Sequence, residues 1–157
     1  MKIPENVELA IKEFVKACKE KFKDNLVSIV LFGSYARGNF KETSDIDLLV
    51  IVKELPKGWK ERKKLFEEIV RRIDEKYGKY LEVIPLTEKE LLTNIDHCNS
   101  FLITLFLGHK VFFDNNFFTE SFKKFADIVR KERILYYEGE KKWEIRELAE
   151  QYLQSFG

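Results

Sequence analysis

The sequence predicts an α/β (α+β) fold in which a small mixed β-sheet is packed against helices and followed by a C-terminal helical extension. Three observations predict it. Strand-length apolar runs alternate with stretches of helical period along the first half of the chain. The 45% hydrophobic and 35% charged residues furnish a core together with a solvated surface, which sets the chain apart from disordered sequences. Its 157 residues suit one buried core and are too few for two. A single domain over residues 1–157 is therefore expected, with a core to about residue 115 and the extension from about 116 to 157.

The first element is an amphipathic helix over residues 7–22, where Val7, Ala10, Ile11, Phe14, Val15, Cys18 and Phe22 recur at helical spacing between Lys and Glu. Asp24 and Asn25 break it. Residues 26–32 (LVSIVLF) then read as a buried strand ending at Gly33, and residues 45–53 (DIDLLVIVK) as a second, closed by Pro56 and Gly58. A second long helix spans residues 59–77, with Leu65, Phe66, Ile69, Val70, Ile73 and Tyr77 on one face and Gly78 at the C-cap. Residues 80–86 (YLEVIPL) form a third strand that Pro85 confines to an end or an edge. Thr87 and Glu90 carry the capping-box pattern of a helix start. Residues 100–107 read as a buried helical segment and 108–114 as a short edge strand. Phe118, Phe122, Phe125, Ala126 and Val129 mark a further helix. Trp143, Ile145, Leu148, Ala149 and Tyr152 mark a last one, after a break over residues 136–139.

Composition excludes several function classes. Lys and Arg number 28 against 27 Asp and Glu, so a net charge of +1 provides no whole-surface field and argues against nucleic acid as a partner. The opening MKIPENVELA is charged where a secretory leader is apolar, and the longest uncharged apolar stretch, residues 101–107, is far too short to span a bilayer. No membrane association is expected. The two cysteines, Cys18 and Cys98, are too few for a disulfide framework and lack metal-ligand spacing, which suits a reducing cytoplasm.

The chemistry is concentrated in residues 31–52, LFGSYARGNFKETSDIDLLVIV. Strand alternation places Asp45 and Asp47 on one face, where two like charges are costly unless a cation lies between them. Oxygen ligands without His or Cys point to Mg²⁺, which takes its remaining ligands from water and substrate phosphates. Gly33 permits a sharp turn with close backbone approach, and Ser34 opens a short helix whose N–H groups and hydroxyl meet an anion. Arg37, one turn on, adds a charge-assisted phosphate contact. A two-metal site needs a third carboxylate. Glu82, the one acid in YLEVIPL, is the candidate.

An isolated Asp-x-Asp is most often a solvated turn, and an isolated Gly-Ser a loop. Here Gly33-Ser34 is followed by ten residues and then Asp45-Ile46-Asp47, with apolar strands on both flanks. With these residues the chain resembles the nucleotidyltransferase superfamily that includes DNA polymerase beta, and specifically its small prokaryotic branch, the minimal nucleotidyltransferases. The resemblance implies two catalytic Mg²⁺ ions on Asp45, Asp47 and Glu82, and a nucleoside triphosphate against Gly33, Ser34 and Arg37. It implies transfer of a nucleoside monophosphate, AMP first, to an acceptor hydroxyl with release of pyrophosphate. Small proteins of this type are often paired with a helical HEPN-type ribonuclease toxin, which active members silence by adding AMP, so such a partner is expected. The alternatives are an antitoxin acting mainly by binding, and an enzyme modifying an aminoglycoside-like small molecule.

Other features take blander readings. His97 and Cys98 lack a second ligand pair, and Lys57, Lys60, Arg62, Lys63 and Lys64 read as a solvated face at a helix start. Phe112, Phe113, Phe117, Phe118, Trp143 and Tyr152 are more aromatic bulk than one small extension buries, so an exposed cluster serving a partner or a homo-oligomer is expected.

Overall fold

Four apolar runs dictate the centre of the molecule. In the computed structural model, which describes residues 2–157, β1 (Leu26–Phe32), β2 (Ile46–Val52), β3 (Leu81–Thr87) and β4 (Lys110–Asp114) form one sheet in the order β3-β2-β1-β4. β1 pairs antiparallel with β2 and with β4, whereas β2 and β3 run parallel. A parallel pair needs a crossover, and α3 (Trp59–Tyr77) supplies it. Pro85 lies on the edge strand β3, where a missing N–H is tolerated.

Alternation along β2 divides the core between the two faces of the sheet. Leu48, Val50 and Val52 pack with Phe14 of α1 (Glu5–Phe22) and Phe66 of α3. Leu49 and Ile51 point the other way, into a cluster built by α4 (Glu88–Asp96), α5 (Ser100–Thr104), α6 (Phe117–Val129) and α7 (Ile145–Gln154). By the same alternation Asp47 belongs to the α4–α7 side. A five-residue helix, α2 (Gly33–Arg37), connects β1 to the loop before β2 and stops at Gly38, whose φ is +82°.

The helix ends follow their local chemistry. Thr87 and Glu90 form the capping box of α4, and Gly78 closes α3 in the left-handed region. Asp114 accepts from the N–H groups of Phe118 (3.0 Å) and Thr119 (2.9 Å) at the start of α6 and from the buried Ser28 hydroxyl (2.7 Å).

Arg62 departs from the solvated basic face expected of it. It is 5% exposed and forms a forked pair with Glu90 at 2.8 and 3.0 Å. It also donates to the carbonyls of Pro56 (2.6 Å) and Pro85 (3.3 Å). A guanidinium is tolerated at such depth only when paired in this way. The hydrogen bond from Arg62 holds the Glu90 carboxyl below the usual range. Neighbouring Lys63 donates to the carbonyl of Val83, so α3 grips the edge strand at two points.

The C-terminal region differs from expectation in two ways. The break over 136–139 is a β-hairpin, β5 (Leu135–Glu138) against β6 (Lys141–Glu144), with Gly139 at φ +61° in its turn. None of the six aromatics expected at an exposed surface is exposed: Phe118 is fully buried and the others are partly buried. Stacking among Phe106, Phe118, Phe122, Phe125 and Tyr152 shares the burial across α6, α7 and the 3₁₀ turn Leu105–Leu107. Cys18 is buried, which pushes its thiol up to about 12. Among the described residues no helix is long and apolar enough to cross a membrane.

Candidate active site

The ends of β1, β2 and β3 bring the expected residues together. Phe32, the last residue of β1, stands opposite Asp47 in the antiparallel register, and Asp47 stands opposite Glu82 in the parallel one. Residues in register share a face, so the two carboxylates lie side by side. Gly33 turns away from β1 at φ +75°, and a Cβ there would lie 2.0 Å from Asp47 Oδ2. The glycine therefore serves twice, permitting the turn and leaving room for the carboxylate.

Burial, with Asp45 and Glu82 nearby, pushes the Asp47 carboxyl up to about 6, and Arg37 opposes the rise. Asp45 lies one residue before β2 and is exposed, so the pair straddles the strand's mouth rather than lying within it. Glu82 receives Lys63 Nζ at 2.9 Å, an ion pair that is about 40% exposed on both sides. Among the described residues no three acid, His or Cys side chains are drawn into a ready metal cage. The donor set nevertheless suits a hard cation, because Asp45, Asp47 and Glu82 offer only oxygen and their mutual repulsion penalises the ion-free state.

A cavity of about 460 Å³ opens beside Asp47. Gly33, Arg37 and Glu82 border it with Asp47, and Phe32, Phe101 and Tyr136 supply aromatic walls. Arg37 Nη1 meets Glu138 Oε2 at 3.2 Å, and its buried Nε has no hydrogen-bond partner among the described residues. A larger groove of about 790 Å³ runs between α3 and β3 past Lys60, Lys63, Lys64 and Arg71, and Glu82 borders it too.

A profile of the nucleotidyltransferase domain matches residues 11–106, a span that contains Gly33-Ser34, Asp45-Ile46-Asp47 and Glu82. The chain belongs to the nucleotidyltransferase domain family. Among the relatives of this nucleotidyltransferase is a "Putative protein adenylyltransferase" of Methanocaldococcus jannaschii, 36% identical over 139 residues, covering 88% of this chain and 93% of the relative. A second protein of that name and organism is 56% identical over 46 residues, 29% of this chain and 46% of the relative. In fold, the nucleotidyltransferase resembles a spectinomycin adenyltransferase from Enterococcus faecialis, solved with ATP and spectinomycin. The TM-score is 0.52 at 16% identity, over 79% of this chain and 67% of that one.

Gly33, Arg37, Asp47 and Glu82 meet at one cavity of the nucleotidyltransferase, with Ser34 in the same short helix as Gly33 and Asp45 just outside the strand. Tyr136 lines the same cavity, Lys63 pairs with Glu82 and Glu138 pairs with Arg37. In sequence Lys63 belongs to a basic run that reads as a solvated face, and the two hairpin residues have no local motif; their approach is created by tertiary packing.

Proposed function

We propose that this nucleotidyltransferase transfers AMP from ATP to a hydroxyl on a protein, with Mg²⁺ as the metal. The observation that carries the reading is the Asp47 carboxylate, set between Asp45 and Glu82 and backed by the Gly33 turn at a cavity mouth. The name protein adenylyltransferase, carried by relatives that include one matched over most of its length, supports AMP and a protein acceptor.

Asp45 and Asp47 would hold the metal, and Glu82 would join them on leaving Lys63. Bound magnesium would neutralise the triphosphate and acidify the acceptor hydroxyl. The Gly33-Ser34 turn lets backbone approach the phosphates, and Arg37 offers them a positive charge beside Asp47. Fixing donor and acceptor for in-line displacement supplies the rest: the acceptor oxygen bonds to the α-phosphorus as the bond to pyrophosphate breaks. The Lys63–Glu82 pair is exposed and worth at most about 1 kcal/mol, so a divalent ion outcompetes it. The HEPN-type protein implied by the resemblance is the first acceptor to test.

The test is transfer of label from α-labelled ATP, with Mg²⁺, to a HEPN-type protein encoded beside this chain. Labelled partner, and none with Asp47→Asn, is the expected result. If label instead enters a small hydroxylated compound such as an aminoglycoside and no protein, the acceptor assignment is wrong.

A further inference from the structure

The cavity at Asp47 has two kinds of wall. Gly33, Arg37, Asp47 and Glu82 give it polar and charged lining, and Phe32, Phe101 and Tyr136 give it aromatic lining. A ligand filling it meets both charged groups and aromatic rings. Resting on the nucleotidyl-transfer reading above, we propose that Tyr136 and Phe101 are the nucleoside wall of the donor site, selecting a nucleotide with a base over bare polyphosphate.

Both rings are held in place. Phe101 packs edge-to-face on Phe32 with centroids 5.0 Å apart, and Phe32 is fixed by its register opposite Asp47. Tyr136 lies 5.8 Å from the Trp143 ring across the β5–β6 hairpin, and the hairpin is tied to α2 by the Arg37–Glu138 pair. Ring faces fixed in this way stack on a base without first losing side-chain freedom. Thr104 lines the same cavity and offers a hydroxyl beside the rings, although that hydroxyl already donates to the carbonyl of Phe101 at 2.6 Å.

Tyr136 lies outside the 11–106 span matched by the family profile. The polar lining of the site is therefore drawn from the family domain, whereas one of its three aromatic rings comes from the C-terminal hairpin. The hairpin thus acts in substrate selection, and Tyr136 and Phe101 are specificity-determining residues rather than participants in the chemistry.

The test compares calorimetric binding of ATP and of inorganic tripolyphosphate, each with Mg²⁺, to the full chain and to Tyr136→Ala, Tyr136→Phe and Phe101→Ala. The expected result is a loss of about 10- to 100-fold in ATP affinity for each alanine variant, the usual range for one base–aromatic stack. Tripolyphosphate affinity should remain within about twofold, and Tyr136→Phe should keep ATP binding, because the ring face rather than the hydroxyl makes the contact. Should Phe101→Ala fail to fold, the Tyr136 pair decides alone. Unchanged ATP affinity in Tyr136→Ala, or wild-type protein binding ATP no more tightly than tripolyphosphate, overturns the nucleoside wall and leaves nucleotidyl transfer standing. Wild-type protein that binds neither compound overturns the transfer reading and this inference with it.

Discussion

Glu138 of the C-terminal hairpin holds Arg37 of α2 at 3.2 Å, in a pair whose carboxylate is half exposed. The guanidinium is less exposed than its partner and leaves Nε buried without a hydrogen bond among the described residues. Glu138 thus competes with any phosphate for Arg37. An exposed pair is worth about 0–1 kcal/mol, so Glu138→Gln should raise tripolyphosphate and ATP affinity by up to about fivefold, and Arg37→Ala should lower both. Titration calorimetry at low and high salt checks this, the gain shrinking as screening rises. Equal affinities in Glu138→Gln and wild type would place the phosphates away from Arg37.

Gly33→Ala is expected to act on Asp47 rather than on the fold as a whole. The new methyl would lie 2.0 Å from Oδ2 and 2.9 Å from Cγ, and the +75° φ adds backbone strain. The carboxylate is the part free to move. Displacing a reacting-site group by about 1 Å can cost roughly 100-fold in rate, so turnover should fall by that order while melting drops by only a few degrees. A variant with wild-type turnover would show that the Asp47 position is not critical.

Asp47→Asn separates the two roles of the carboxylate. Its folded-state pKa of about 6 lies above the ordinary 3.8, so the fold favours the protonated form. Stability is intact below about pH 3.8, falls as the pH rises, and carries the full penalty above about 6. In chelator, Asn should therefore raise the melting temperature at pH 7.5 and lose that advantage at pH 4. The group is only partly buried, which discounts the effect to about 1 kcal/mol, or roughly 2–4 °C for a chain of this size. Turnover with Mg²⁺ should fall by at least about 100-fold. Thermal scans at the two pH values give the stability half, and a melting temperature unchanged at pH 7.5 would contradict it.

Lys63→Met should release Glu82 from the 2.9 Å ion pair that holds it. With the competing ammonium gone, the Mg²⁺ concentration for half-maximal stabilisation in thermal scans should fall by up to about fivefold. Glu82→Gln should raise it. If neither substitution shifts the Mg²⁺ dependence, Glu82 is not part of the metal site.

Much of the fold was legible because its signals are local. The Thr87–Glu90 capping box, the Gly78 cap and the edge placement of Pro85 each depend on neighbours within a few residues. Gly33 and Asp47 were legible as a motif, although their contact arises from strand register. What escaped is non-local. Arg62 reads as one more lysine-like charge until Glu90 and Pro85 close on it from the far end of β3. The hairpin was missed because Leu135–Glu138 and Lys141–Glu144 are only four residues each, with lysines and glutamates weakening the alternation. Tyr136 reaches the site through that hairpin, so it carried no signal of its own.

The side chains that α3 lays on β3 also govern how the molecule treats its neighbours. Arg62 occupies the carbonyl of Pro85, Lys63 that of Val83, and Pro85 has no N–H to offer. A strand arriving from another copy would find these docking points taken and would have to expel a buried guanidinium to use them. The β3 border of the sheet is thus insulated against runaway strand addition, even though the end of that strand opens on the cavity.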